Sequence, residues 1–132
     1  MKPLAEFILY VKDQATSARF YSFVLERSPV LDAPGMTEFE LGPGVRLGLM
    51  PESGIQRLLG KRLPDPAGAN GIPRAELYLF VDDPDASHRR APASGARELS
   101  PPAARDWGDV VAYSLDPDGH VLAFARQAHA SF

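Results

Sequence analysis

The chain has 132 residues, 45% hydrophobic and 23% charged, with a formal net charge of −3 and no cysteine. That length and mix bound one globular domain, or two small halves sharing a core. Disulfides, thiolate metal sites and cysteine nucleophiles are excluded, and "HRR" at 88–90 is too short a basic run to suggest a nucleic-acid partner.

In chain order, "AEFILYVKD" (5–13) predicts a first strand whose apolar run, Phe7–Val11, is too short for a signal-peptide core or a membrane span. A soluble cytoplasmic protein with no membrane partner is therefore expected. Asp13 follows as the N-cap of a helix, where a carboxylate accepts orphan backbone N–H groups. Phe20, Phe23 and Val24 share one face of that helix, and Ser28-Pro29 ends it. "GVRLGLM" (44–50) reads as a strand in which Leu47 and Leu49 alternate with Arg46, Gly48 and Met50. The Pro/Gly-rich stretch 51–73 holds only a weak helical segment, Ile55–Leu59, and reads as a linker. "AELYLFVDD" (75–83) then predicts another strand, with Asp83 as a cap and Pro84 at the first helical position. The helix after it carries Pro92, so it should be shorter or kinked and end near Gly95. "LSPPAARDWG" (99–108) reads as a longer insert, and "GHVLAFA" (119–125) as a strand after the turn "DPDG".

These segments repeat. At an offset of seventy, Pro3, Ala5, Glu6, Leu9, Val11, Asp13, Ser17 and Arg19 recur as Pro73, Ala75, Glu76, Leu79, Val81, Asp83, Ser87 and Arg89. The closing strands, 44–50 and 119–125, align as well. Each half is a βαβββ unit: module 1 over 1–52, a linker over 53–72 and module 2 over 73–132. One such unit leaves a sheet face bare, so two are expected to combine, within a chain or between chains.

The stretches "LYVKDQATSARFYSFVL" (9–25), "LFVDDPDAS" (79–87) and "WGDVVAYSLDPDGHVLAF" (107–124) resemble the vicinal oxygen chelate superfamily, the glyoxalase/bleomycin-resistance/dioxygenase group. The resemblance implies an α+β fold in which two βαβββ modules curl an eight-stranded mixed sheet around a cavity, with helices outside and homodimers common. In its metal-dependent members four side chains meet in the cavity. Those positions fall here on Glu6, Gly48, Glu76 and Ala123, and His88, His120 and His129 fall on none of them. Two carboxylates with waters would hold a hard divalent cation only weakly, and a transition metal generally needs three protein ligands. No cofactor is therefore expected.

If Glu6 and Glu76 face the cavity, period two brings Ile8, Tyr10, Tyr78 and Phe80 to the same side. Arg46, Met50, Val121, Ala125 and Tyr113 join them, Trp107 covers the opening, and Phe7, Leu9, Val11, Leu77 and Leu79 face the helices. The other reading makes Glu6 and Glu76 solvated strand ends and the aromatics ordinary core. Arg105 and Asp106 read as loop charges, and "DPDG" as a turn rather than a calcium loop. The expected function is small-molecule binding of the bleomycin-resistance type, an antibiotic-resistance role that sequesters a planar or cationic ligand. The alternative is a glyoxalase- or dioxygenase-like enzyme, with an atypical metal site or with Glu6 or Glu76 as general base.

Overall fold

A computed structural model describes residues 3–128, and His129 lies outside them. The chain divides into two compact units between Asn70 and Gly71. Each unit holds its own four-stranded mixed sheet, so the strands form two ladders of four rather than one of eight.

The first unit runs β1 (Ala5–Val11), α1 (Gln14–Leu25), β2 (Leu31–Ala33), β3 (Met36–Gly42) and β4 (Val45–Pro51). The strand order is β1-β4-β3-β2; β1 lies parallel to β4 and the other pairs are antiparallel. Asp13 caps α1 by accepting from the backbone N–H groups of Ala15 and Thr16, at 3.0 and 3.3 Å. Those bonds hold its carboxyl below the ordinary value. The buried stripe of α1 is Ser17, Phe20, Tyr21 and Val24, the i, i+3, i+4, i+7 spacing of one helical face. Phe23 falls off that stripe and is exposed, contrary to the sequence reading. The helix ends before Ser28-Pro29, because Glu26 turns the chain with a left-handed φ of 53°.

Helix α1 packs over β3 and β4, so the core is Phe39, Leu47 and Leu49 with Phe20, Tyr21 and Val24. Phe7 shares the face of Leu47 by register, yet it is 63% exposed, because that helix does not extend over edge strand β1. The expected linker is more ordered than read. Its helix, α2, spans Glu52–Leu59, and 3-10 turns follow at Gly60–Arg62 and Pro66–Ala69.

The second unit repeats the plan with β5 (Glu76–Phe80), α3 (Pro84–Ala93), β6 (Arg97–Ala104), β7 (Asp109–Leu115) and β8 (Val121–Gln127), in strand order β5-β8-β7-β6. Asp83 caps α3 through the N–H groups of Asp85 and Ala86, with Pro84 in the first turn and Pro92 in the last. The segment read as an insert is mostly strand β6. Its ladder to β7 slips between Glu98 and Ser100 and again between Ser100 and Ala103. The second slip spans Pro101 and Pro102, which have no N–H to donate, and edge strands tolerate such a break. Among the described residues, no helix is long and apolar enough to cross a membrane.

Candidate functional site

In each unit one sheet face meets the helix, and ladder partners point to the same side of their sheet. In the first unit the register puts Glu6, Ile8 and Tyr10 of β1 opposite Arg46, Gly48 and Met50 of β4, on the face away from Leu47 and Leu49. Glu38 of β3 pairs with Gly48 and joins the same face.

Gly48 is buried, and a Cβ on it would collide with Glu6 Oε2; Ile8 Cγ1 and Met36 Sδ would lie only 3.1 and 3.2 Å away. The Glu6 carboxyl therefore rests in the space a side chain at 48 would fill. Glu38, 14% exposed in its side chain, accepts from Arg46 Nη1 at 3.0 Å. Burial, and then the hydrogen bond and charge of Glu38, push the Glu6 carboxyl above its ordinary value, while Arg46 pulls the other way. A neighbouring carboxyl, with a single guanidinium to offset it, favours retention of the Glu6 proton. Glu6 is thus a half-buried member of a pair, not a solvated strand end. Glu38 was not singled out from sequence, although "TEFEL" alternates charge with Phe39 and Leu41.

In the second unit the corresponding face carries Glu76, Tyr78 and Phe80 of β5, Val121, Ala123 and Ala125 of β8, and Val111 and Tyr113 of β7. Ala123 is fully buried with Val111 and Ala125, and its two ladder neighbours, Tyr78 and Tyr113, pack against that cluster. The Tyr78 hydroxyl donates to Asp109 Oδ2 at 2.6 Å and accepts from Trp107 Nε1 at 3.1 Å. Desolvation first, and then the bond to Asp109, raise the Tyr78 hydroxyl above its ordinary value; desolvation and the charge of Glu76 do the same for Tyr113.

Phe80 is 65% exposed and meets Tyr78 edge to face, with ring centroids 5.4 Å apart. A cavity of about 350 Å³ lies beside it, lined by Phe80, Val81, Asp82, Arg126 and Gln127. Gln127 is the ladder partner of Asp109.

Arg105 is not the loose loop charge its sequence context suggests. Its Nη2 donates to Ser100 Oγ and to the Val111 carbonyl, both at 2.8 Å, and its Cζ lies 5.2 Å from the Tyr113 ring centroid. Arg105 opens the turn that Gly108 closes with a φ of 100°, its carbonyl accepting from the Gly108 N–H at 3.1 Å, and the sequence "RDWG" is the signal of that turn.

The other titratable groups hold the framework. Asp116, Asp118 and His120 bring donor atoms within 4.8 Å of one another. The Asp116 carboxylate accepts from the Asp118 and His120 N–H groups at 2.9 and 2.8 Å and meets His120 Nδ1 at 2.9 Å, which braces the "DPDG" turn. His88, on the helix side, is buried against Glu98 at 2.7 Å.

At the four positions where the family resemblance places metal ligands, the residues do not make a transition-metal donor set. Gly48 has no side chain and its space is filled by Glu6, while Ala123 is buried among tyrosines.

The glyoxalase-like domain family matches residues 6–125. No curated protein matches the sequence. A glyoxalase-related enzyme from Fulvimarina pelagi is similar in structure at a TM-score of 0.79 and 24% identity, covering 96% of this chain and 89% of that one. A glyoxalase/bleomycin resistance protein/dioxygenase from Nocardioides aligns at 0.74 and 25% identity, over 99% and 87% of the two chains. A glyoxalase/bleomycin resistance protein/dioxygenase family enzyme from Burkholderia phytofirmans PsJN aligns at 0.80 and 17% identity, over 95% and 98%.

Proposed function

The chain belongs to the glyoxalase-like domain family, within the vicinal oxygen chelate superfamily, and on that premise we propose that it is a metal-independent binding protein for a small planar ligand. The observation that carries this reading is the hydrogen-bonded chain Trp107–Tyr78–Asp109, set on a sheet face where Ala123 stands in place of a metal donor. The chain holds an indole and a phenol in fixed positions beside a carboxylate. A ligand then meets flat apolar surface that is already ordered, which lowers the entropic cost of binding. The cavity beside Phe80 falls within the usual size of small-molecule sites. Of the two ligand types expected from sequence, planar fits better than cationic, because Arg105 already takes the cation–π position on Tyr113. Sequestration of a toxic aromatic compound by a homodimer is the fuller form of this reading.

Trp107 is the only tryptophan, so its fluorescence reports binding directly. Planar aromatic metabolites and antibiotics should quench it saturably at micromolar concentrations. If none does so by millimolar, the reading fails. Stoichiometric Zn, Ni, Fe or Mn in protein purified without chelator would overturn metal independence.

A second reading, proton transfer by a carboxyl, is favoured by the paired Glu6 and Glu38. Turnover of any substrate that persists unchanged in a Glu6→Gln, Glu38→Gln double variant would eliminate it.

A further inference from the structure

We infer that Arg105 is the specificity-determining residue of the second unit's aromatic face, where its guanidinium binds a carbonyl-type acceptor carried by a neutral planar ligand. The inference rests on the binding reading above and adds the ligand's chemistry to it. Arg105 follows strand β6 and is pinned in place: Nη2 bonds Ser100 Oγ and the Val111 carbonyl, one group on β6 and the other on β7. Those bonds fix the guanidinium plane against Tyr113. Among the described residues its Nε is buried without a hydrogen-bond partner, and no partner within the fold takes Nη1. A guanidinium presents five N–H donors, so the pinning bonds leave donor capacity over. A donor group held rigid beside the aromatic rings selects a ligand that brings an acceptor, since a ring without one leaves Nη1 to water alone.

The surrounding charge decides between a neutral acceptor and an anion. Glu76 and Asp109 act on Tyr113 together with Arg105, and their effect on its hydroxyl is opposite to that of the guanidinium. Two carboxylates against one guanidinium leave this face net negative, which disfavours a ligand carboxylate. A carbonyl draws on the Arg105 donor without that repulsion. Asp109, which accepts from Tyr78 through Oδ2, keeps its other oxygen for a ligand N–H. The ligand class that fits both groups is a planar ring bearing an amide or lactam.

Calorimetry with three probes of one ring system tests this: 2-naphthamide, naphthalene and 2-naphthoate. Naphthamide should bind at least about fivefold tighter than either of the others. In Arg105→Gln that advantage should vanish, so that naphthamide and naphthalene bind within about twofold of one another. Arg105→Lys, which keeps the charge but not the planar donor edge, should recover little of it. In wild-type protein the Arg105 Nε–H NMR signal should move on saturation with naphthamide and stay in place with naphthalene, a readout that needs no variant. Equal affinity for naphthamide and naphthalene, a preference for naphthoate, an unmoved Arg105 signal or an advantage that survives Arg105→Gln would each overturn the inference and leave the binding reading standing. If none of the three probes binds, the binding reading fails for naphthyl ligands, and this inference falls with it.

Discussion

The carboxyl of Glu6 lies where a side chain on Gly48 would begin. The family resemblance implies ligand positions at both residues; here the carboxyl of one fills the space beside the other. Gly48→Ala should therefore destabilise the protein by about 1 to 3 kcal/mol through overpacking against Glu6, Ile8 and Met36. Combining it with Glu6→Ala should restore much of that loss, because the collision partner is gone. Urea unfolding of the two single variants and the double variant measures the coupling, and additive effects would disprove the collision.

The same pair predicts a pH dependence. The folded-state value for Glu6 is raised above 4.5, so the native state holds its proton more tightly than the unfolded chain does. Its contribution to stability is complete below about pH 4.5 and is lost as pH rises through the folded value. Glu6→Gln keeps an N–H donor toward Glu38 but does not titrate. The stability of wild type relative to Glu6→Gln should fall as pH rises above about 4.5, as read by thermal midpoints across a pH series. A flat difference would show that the folded state does not favour the Glu6 proton.

Tyr78→Phe removes the hydroxyl between Trp107 and Asp109. Because water can reach the 57%-exposed indole, the loss should be modest, about 1 kcal/mol. The sharper effect is on order: Trp107 fluorescence should become more accessible to acrylamide, and quenching by planar ligands should weaken severalfold. Unchanged acrylamide quenching would mean that the hydroxyl does not hold the ring.

Ala123→Glu would supply a donor at the position where the family resemblance implies one. Ala123 is fully exposed to packing and not to water, with Tyr78 and Tyr113 against it. The substitution should cost about 3 kcal/mol or more, from overpacking together with a buried carboxylate, and should not create stoichiometric metal binding. A stable variant that binds Zn would show that this position remains a latent metal site.

The sequence made the architecture readable because the duplication states each strand and cap twice. Asp13 and Asp83 cap their helices as read, and the alternation of Glu6, Ile8 and Tyr10 with Phe7 and Leu9 matches the register. Periodicity, however, gives faces and not coverage. It assigned Phe7 to the helix side correctly by register, but the helix lies over β3 and β4, so Phe7 stays exposed. Glu38 escaped notice, and Arg105 was read as a loop charge, for a related reason. Each gains its role from a neighbour on an adjacent strand or across a turn, and such pairings are invisible until the register is known. The segment holding Pro101 and Pro102 read as an insert because prolines argue against strand, yet an edge position accepts them.

Those two prolines have an effect beyond the fold of one molecule. Among the described residues β6 pairs with β7 alone, so its far border is a margin of the second sheet. Two successive residues without an N–H interrupt that margin, and the slipped register bends it locally. An incoming segment from another chain finds no continuous row of donors to zip onto. That margin is thus a poor template for strand addition, by a device that asks nothing of the aromatic face.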